Sequence, residues 1–279
     1  MTSTAIKLKT FFGKYYQAIA IAFFFLWSYG PVLIWMWDRW FQRDSYYSHG
    51  ILVPFVSAYL LWQKREELAK IPWTGSPWGI RLILLGAFFY AVNSLFRIYF
   101  SSAFSMFVVL FGLILHFFGP RMLRAVLFPL CFLFFMFPLP LVVIVNISFK
   151  MKLFAASIAT YLLNQMGLYA VQQGSIIKMN SANIIVDDVC SGLRSLISLM
   201  ALGSIFAYWI TGPMYKRILL FLTTIPIAVI TNVCRVVFLS TISEIWGPQY
   251  TIGLIHDITG YLVFALAFVM FYMLAKLLE

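Results

Sequence analysis

Charge is what this sequence has least of: 10% of its 279 residues are charged, and only nine are acidic. A soluble domain needs a wetted surface and rarely goes much above half apolar, whereas 63% of these residues are hydrophobic and 19% aromatic. Short alternating segments of about ten residues, the mark of a spanning β-barrel, are also missing. What is present are apolar runs of roughly 20 residues between short polar breaks, the pattern of a polytopic α-helical membrane protein. Cysteine is scarce too. Cys131, Cys190 and Cys234 are an odd number without metal-type spacing, so neither a disulfide framework nor a metal site is expected, and no cofactor. The net charge of +11 comes with no long basic run and no RNA-binding signature. Lys and Arg gather instead in short loops, as the positive-inside rule requires, so nucleic acid is not an expected partner. There is no His-Glu-x-x-His and no Gly-x-Ser-x-Gly, which disfavours the intramembrane proteases that carry those motifs.

Taken in order, the chain reads as about eight transmembrane helices with both termini inside. Lys7, Lys9 and Lys14 precede a first apolar run over 18–37, which lacks a small-residue cleavage site and is expected to be a retained span. A loop over 38–49 falls outside. A short second span over 51–63 leads to a basic inner loop, and further spans follow over 81–99, 102–118 and 125–145. Pro138 and Pro140 predict a break in the fifth. Residues 146–167, with Lys150 and Lys152 among apolar neighbours, read as an interfacial helix or, as the alternative, another span. Two β-branched runs around Asn180–Asn183 predict a small extracytoplasmic hairpin before the sixth span, 190–210. The seventh and eighth spans are expected over 218–239 and 258–278. There is no internal repeat, so a single integral-membrane domain over 1–279 is expected, with its catalytic half at about 146–279.

This topology brings three distant residues to one outer face. Cys190 opens the sixth span, Arg235 lies near the outer end of the seventh, and His256 precedes the eighth. A nucleophile, a cation for developing negative charge and a proton carrier are what thiol acyl transfer requires. A helix N-terminus favours the thiolate form of Cys190. Asp187 and Asp188 read as capping residues, because a carboxylate aimed at the sulfur would raise its pKa. Gly192 lets a substrate backbone approach, or equally eases helix packing. Thr231 and Asn232 share a helix face with Arg235. Arg235 has a structural alternative, a pairing with Glu244, while Arg194 and Arg97 are competing cations. Of the three histidines, His116 belongs to the inner side and His49 remains a candidate. His256 is followed by Asp257, which can cap the helix or orient the ring. Cys234, about 100° around the helix from Arg235, reads as packing, as does Cys131.

Cys190-Ser191-Gly192 after a strand-like run, Asn232-x-x-Arg235 late in the next span and His256 opening the last one together resemble the exosortase/archaeosortase family. Tyr47-Ser48-His49-Gly50-Ile51-Leu52-Val53-Pro54 is similar to an N-terminal signature of bacterial exosortases. The resemblance implies a membrane transpeptidase, sortase-like in chemistry, in the bacterial inner (cytoplasmic) membrane with its site facing the periplasm. Its substrates would be membrane-anchored proteins ending in a Pro-Glu-Pro-like motif, a helix and a basic tail, passed to an acceptor such as a cell-surface polymer or a lipid. Carried over, Cys190 would be the nucleophile, Arg235 the oxyanion stabiliser and His256 the general acid/base. The extra C-terminal domain of some exosortases is not expected here. The rival readings are a multi-pass transporter, with Asn93 and the proline break as hints, and a non-catalytic envelope-assembly scaffold.

Overall fold

Backbone amides inside a bilayer have no water to bond, so a chain this apolar satisfies them within helices. The computed structural model describes residues 3–42, 45–186, 192–251 and 254–278, with the side chains of 3–15, Leu254, His256 and Asp257 outside the description. In chain order come α1 (Ser3–Ser28), α2 (Gly30–Phe41), α3 (Leu52–Gln63), α4 (Arg65–Ala69), α5 (Trp78–Leu95), α6 (Tyr99–Phe117), α7 (Gly119–Ala125), α8 (Leu127–Phe132) and α9 (Leu141–Gln165). Three strands come next, β1 (Ala170–Gln173), β2 (Ile176–Met179) and β3 (Asn183–Ile185), then α10 (Leu193–Trp209), α11 (Met214–Leu222), α12 (Thr224–Trp246) and α13 (Leu254–Leu278). The chain is an all-α polytopic membrane protein. Among the described residues five helices are long and apolar enough to cross a membrane, or up to seven if each of two bent pairs is one span. The expectation was about eight. It counted α3 and α10, whose 12 and 17 residues reach about 18 and 26 Å against a hydrocarbon core of about 30 Å, and it left out α9.

Contacts divide the chain into two compact units, Met1–Phe41 with Trp62–Leu127, and Gln42–Leu61 with Phe128–Glu279. In the first, α5 and α6 form a hairpin whose backbones nearly touch: a Cβ at Gly79 would collide with the His116 backbone nitrogen. Such small residues let membrane helices pack by dispersion, since lipid offers no hydrophobic drive between them. Tyr29, at the 61° bend between α1 and α2, shares a hydrogen bond of 3.2 Å with Ser105 on α6.

The second unit holds the sheet and the last four helices. The expected break is there: the segment at Pro138–Pro140 is non-helical, and Pro140 is the N-cap of α9. Of the two readings of 146–167, the alternative of another span fits rather than the separate interfacial helix. Nearly all of them belong to α9, an unbroken helix of 25 residues that passes as a membrane-crossing one. Its two lysines misled the reading, because long basic side chains lay their stems along apolar surface.

The expected hairpin is present as β2 and β3, joined by an additional strand, β1, in an antiparallel sheet of order β1-β2-β3. Its buried face carries Ile177, Met179, Ala182 and Val186, packed in one cluster with Ala156, Ala159 and Leu163 of α9 and Val236 of α12. Glu244, near the end of α12, accepts hydrogen bonds of 3.1 and 3.2 Å from the Ser181 N–H in the β2–β3 turn. The sheet thus packs on α9 and is tied to α12 through the Ser181–Glu244 bond.

Candidate functional site

The chain converges on the middle of α12. Thr231 and Asn232 are buried there, and Arg235 is half-buried one turn on. Arg235 was expected near the outer end of its span. Because α12 runs on to Trp246, the arginine stands 11 residues short of that end, about 17 Å.

Two anchor points on α12 bracket Arg235. Val186, just after β3, belongs to the buried cluster that includes Val236. Gly192, just before α10, packs on Asn232: a Cβ at position 192 would lie 2.7 Å from Asn232 Cγ. Gly192 also has φ of +79°, the left-handed region, so the chain enters α10 through a turn that only glycine adopts at little cost. Asp187, Asp188, Val189, Cys190 and Ser191 lie outside the described residues. The residues that flank that segment have their α12 neighbours on either side of Arg235 in sequence, Gly192 at Asn232 and Val186 in the cluster that holds Val236.

Arg235 reaches from α12 across to α13. Its Nη2 would lie 3.6 Å from a Cβ placed on Gly260. His256 is in the first turns of the same helix, four residues before Gly260 and so on the same helical face; its side chain and that of Asp257 lie outside the described residues. Arg235 thus reaches α13 one turn after the position that carries His256. Glu244, the alternative partner considered for Arg235, accepts from the Ser181 N–H.

Arg235 and Thr259 also line a groove of about 250 Å³ between α12 and α13, walled by Cys234, Phe238, Leu262 and Leu266. Phe238 and Leu262 are 51% and 60% exposed, so the groove opens on the face that meets lipid. Cys234 is exposed and lines it with Arg235, rather than packing in the interior as expected. Arg194 is half-buried in the first turn of α10. Arg97, the other competing cation, belongs to the first unit.

His49 lies in a 3-10 turn, Ser48–Ile51, between α2 and α3, in the same unit as α10. Its Nδ1 shares a hydrogen bond of 3.1 Å with Ser198 Oγ on α10. Two residues earlier, the Tyr47 hydroxyl accepts a 3.1 Å hydrogen bond from the Leu139 N–H in the proline break. Burial holds the His49 pKa down to about 4, opposed by a hydrogen bond with the Phe135 backbone, so the ring is neutral near pH 7. Burial likewise lifts Tyr47 to about 12, against the Leu139 bond. The tyrosine-histidine signature is therefore a fastening between the turn, the proline break and the helix that follows Cys190. Sequence reasoning missed Ser198 and Gly260; a glycine four residues after His256 was the one available signal for the second.

No curated protein and no solved structure matches the chain. Residues 37–273, however, match the family model described as transmembrane exosortase (Exosortase_EpsH). That match runs from α2 through the His49 turn, the sheet and α12 into α13, so this multi-pass membrane protein belongs to the transmembrane exosortase family.

Proposed function

We propose that the protein is a cysteine-dependent transpeptidase that cleaves the C-terminal sorting signals of membrane-anchored exported proteins through a thioester. The observation that carries this reading is the crossing of Arg235 to Gly260 on α13, one turn from His256, beside a segment whose two ends are anchored on α12 around that arginine. Cys190 is the fifth residue after β3 and the second before Gly192, inside that bracketed segment.

Cys190 as thiolate attacks the scissile carbonyl carbon, and the oxygen takes up the negative charge. Arg235, fixed between two helices, stabilises that oxyanion without reorganising, where a guanidinium is worth far more than in water. Collapse of the intermediate breaks the C–N bond. His256 as imidazolium gives its proton to the leaving amine, and the acyl group stays on sulfur. An acceptor amine or water then attacks the thioester, gives its proton to His256 and releases the thiolate. Because the substrate is tethered by its own helix, its effective concentration at the site is high, which compensates for a shallow pocket. The lipid-facing groove beside Arg235 suits a substrate that arrives within the membrane. We place the enzyme in the bacterial inner membrane with this site on the periplasmic side, acting on a Pro-Glu-Pro-like motif.

The transporter reading loses its two hints. The Asn93 amide donates to the Phe89 carbonyl of its own helix at 2.6 Å, and the proline break is bound by Tyr47. The test is Cys190→Ala: the variant inserts and accumulates normally but leaves substrate precursor uncleaved. Normal processing by that variant would end the thioester reading.

A further inference from the structure

A protease binds its substrate as an extended chain, so an open strand edge close to the nucleophile in sequence is a natural place to seat one. The sheet has two edges, and they are treated differently. The β1 edge is closed by α9: the Asn164 side chain donates to the Ala170 carbonyl at 2.9 Å and accepts from the Ala170 N–H at 3.0 Å. Gln172 adds a bond of 3.2 Å to the Leu153 carbonyl. The β3 edge carries no neighbouring strand among the described residues.

The groups that β3 offers are set by its register. The Val186 N–H donates to the Ser175 carbonyl, and the Met179 N–H to the Ala182 carbonyl, both at 2.9 Å. Ladder bonds in an antiparallel pair come from alternate residues. Ala182, Ile184 and Val186 therefore turn their backbone groups to β2, and Asn183 and Ile185 turn theirs to the open edge. Ile185 is 63% exposed. Charge, proline or a bulge would blunt an edge against strand addition, and Asn183-Ile184-Ile185 has none of them.

We propose that the β3 edge is the seat of the sorting motif, which adds to the sheet as a fourth strand parallel to β3. This rests on the transpeptidase reading above. The direction comes from the fold: Ser181 lies by Glu244, Val186 in the cluster of Val236 and Gly192 by Asn232, so β3 runs inward along α12. A substrate whose membrane helix comes after its motif runs the same way. In a parallel ladder a residue opposite Ile184 bonds its N–H to the Asn183 carbonyl and its carbonyl to the Ile185 N–H. The glutamate of a Pro-Glu-Pro motif fits that position. Successive residues alternate their backbone groups between the two sides of a strand, so both prolines turn their missing N–H away from β3, the one placement a strand tolerates for proline. The glutamate side chain then falls on the same sheet face as the Ile184 side chain. Ile185 is five residues before Cys190, within about 18 Å of extended chain.

The test uses a synthetic single-span peptide with Pro-Glu-Pro, an apolar helix and a basic tail, bound to full-length Cys190→Ala protein in vesicles, so that affinity is read without chemistry. Replacing the glutamate amide by an ester deletes its N–H and raises Kd roughly tenfold, the usual weight of one such bond. Ile185→Pro removes the edge N–H without touching the β2 ladder and raises Kd by a similar factor. An unchanged Kd for the ester peptide, or no binding of the parent peptide, overturns the proposal, and the ester measurement decides even if Ile185→Pro fails to fold. Cleavage of the same peptide by the unmodified enzyme, and its loss in Cys190→Ala, is a separate readout that tests the transpeptidase reading alone.

Discussion

Gly192 and Asn232 are in such close approach that no side chain fits between them: a Cβ on the glycine would sit 2.7 Å from Asn232 Cγ and 3.0 Å from its Cβ. The contact fixes where α10 begins relative to α12. Gly192→Ala therefore carries two costs, the left-handed backbone, about 1–2 kcal/mol, and the collision. The expected result is a Tm lower by about 5 °C in a detergent melt, with a loss of cleavage. Combining it with Asn232→Ala should give a smaller loss than the sum of the two single variants, as coupled neighbours do. Strict additivity would count against the contact.

Arg235 acts through its reach as well as its charge. Arg235→Lys keeps the charge but not the planar fork, and cleavage should fall about 10²–10³-fold, the scale of losing an oxyanion donor. Position 260 tests the same point from the opposite helix. Gly260→Ala brings a methyl to 3.6 Å from Nη2, an ordinary contact, and should be mild. Gly260→Leu should displace the guanidinium and reproduce the Arg235→Lys defect in kcat. Equal activity of the alanine and leucine variants would contradict this.

His49 predicts an acid sensitivity. Its folded pKa is near 4, below the ordinary histidine value of about 6.5. Between those values the unfolded chain binds a proton that the folded protein does not, so stability falls as pH drops through that window and is undiminished above it. Melting temperature against pH should decline more steeply from 6.5 to 4 for the native protein than for His49→Gln. Parallel curves would show that the buried ring takes up its proton without cost.

The groove between α12 and α13 gives a fourth expectation. Leu262→Trp fills a lipid-facing wall beside Arg235. If substrates arrive through the membrane, KM for a single-span peptide should rise several-fold while kcat holds. A soluble peptide carrying the motif without its helix should be insensitive to the change.

What was legible in the sequence was local. The turn at Asn180–Ala182 between β-branched runs, the proline break at Pro138–Pro140 and the apolar spans each announce themselves through neighbours in the chain. The extent of α12 did not. Ser240, Thr241, Ser243 and Glu244 lower the hydropathy after Leu239, yet Ser240 and Ser243 are fully buried and Glu244 is engaged by the β2–β3 turn. Of these only Glu244 finds its partner far away in sequence, while Thr241 bonds back to the Val237 carbonyl of its own helix. β1 was missed because Gln172 and Gln173 carry no β-branched signal, and its pairing depends on Asn164. The grouping of 42–61 with 128–279 is non-local packing that no window over the sequence displays. At the site, the sequence nominated Arg235 and Asn232 correctly as one helical face but offered no sign that Gly260 would receive the guanidinium.

The two anchor points on α12 make that helix a ruler for the chemistry. Asn232 and Val236 set the level at which the chain leaves the sheet and enters α10, and Arg235 is graduated on the same scale. A single residue inserted between Asn232 and Arg235 would rotate one mark against the other by about 100° while leaving every spanning helix apolar. Such a protein would still reside in its membrane, with its cation turned away from the bond it is proposed to serve.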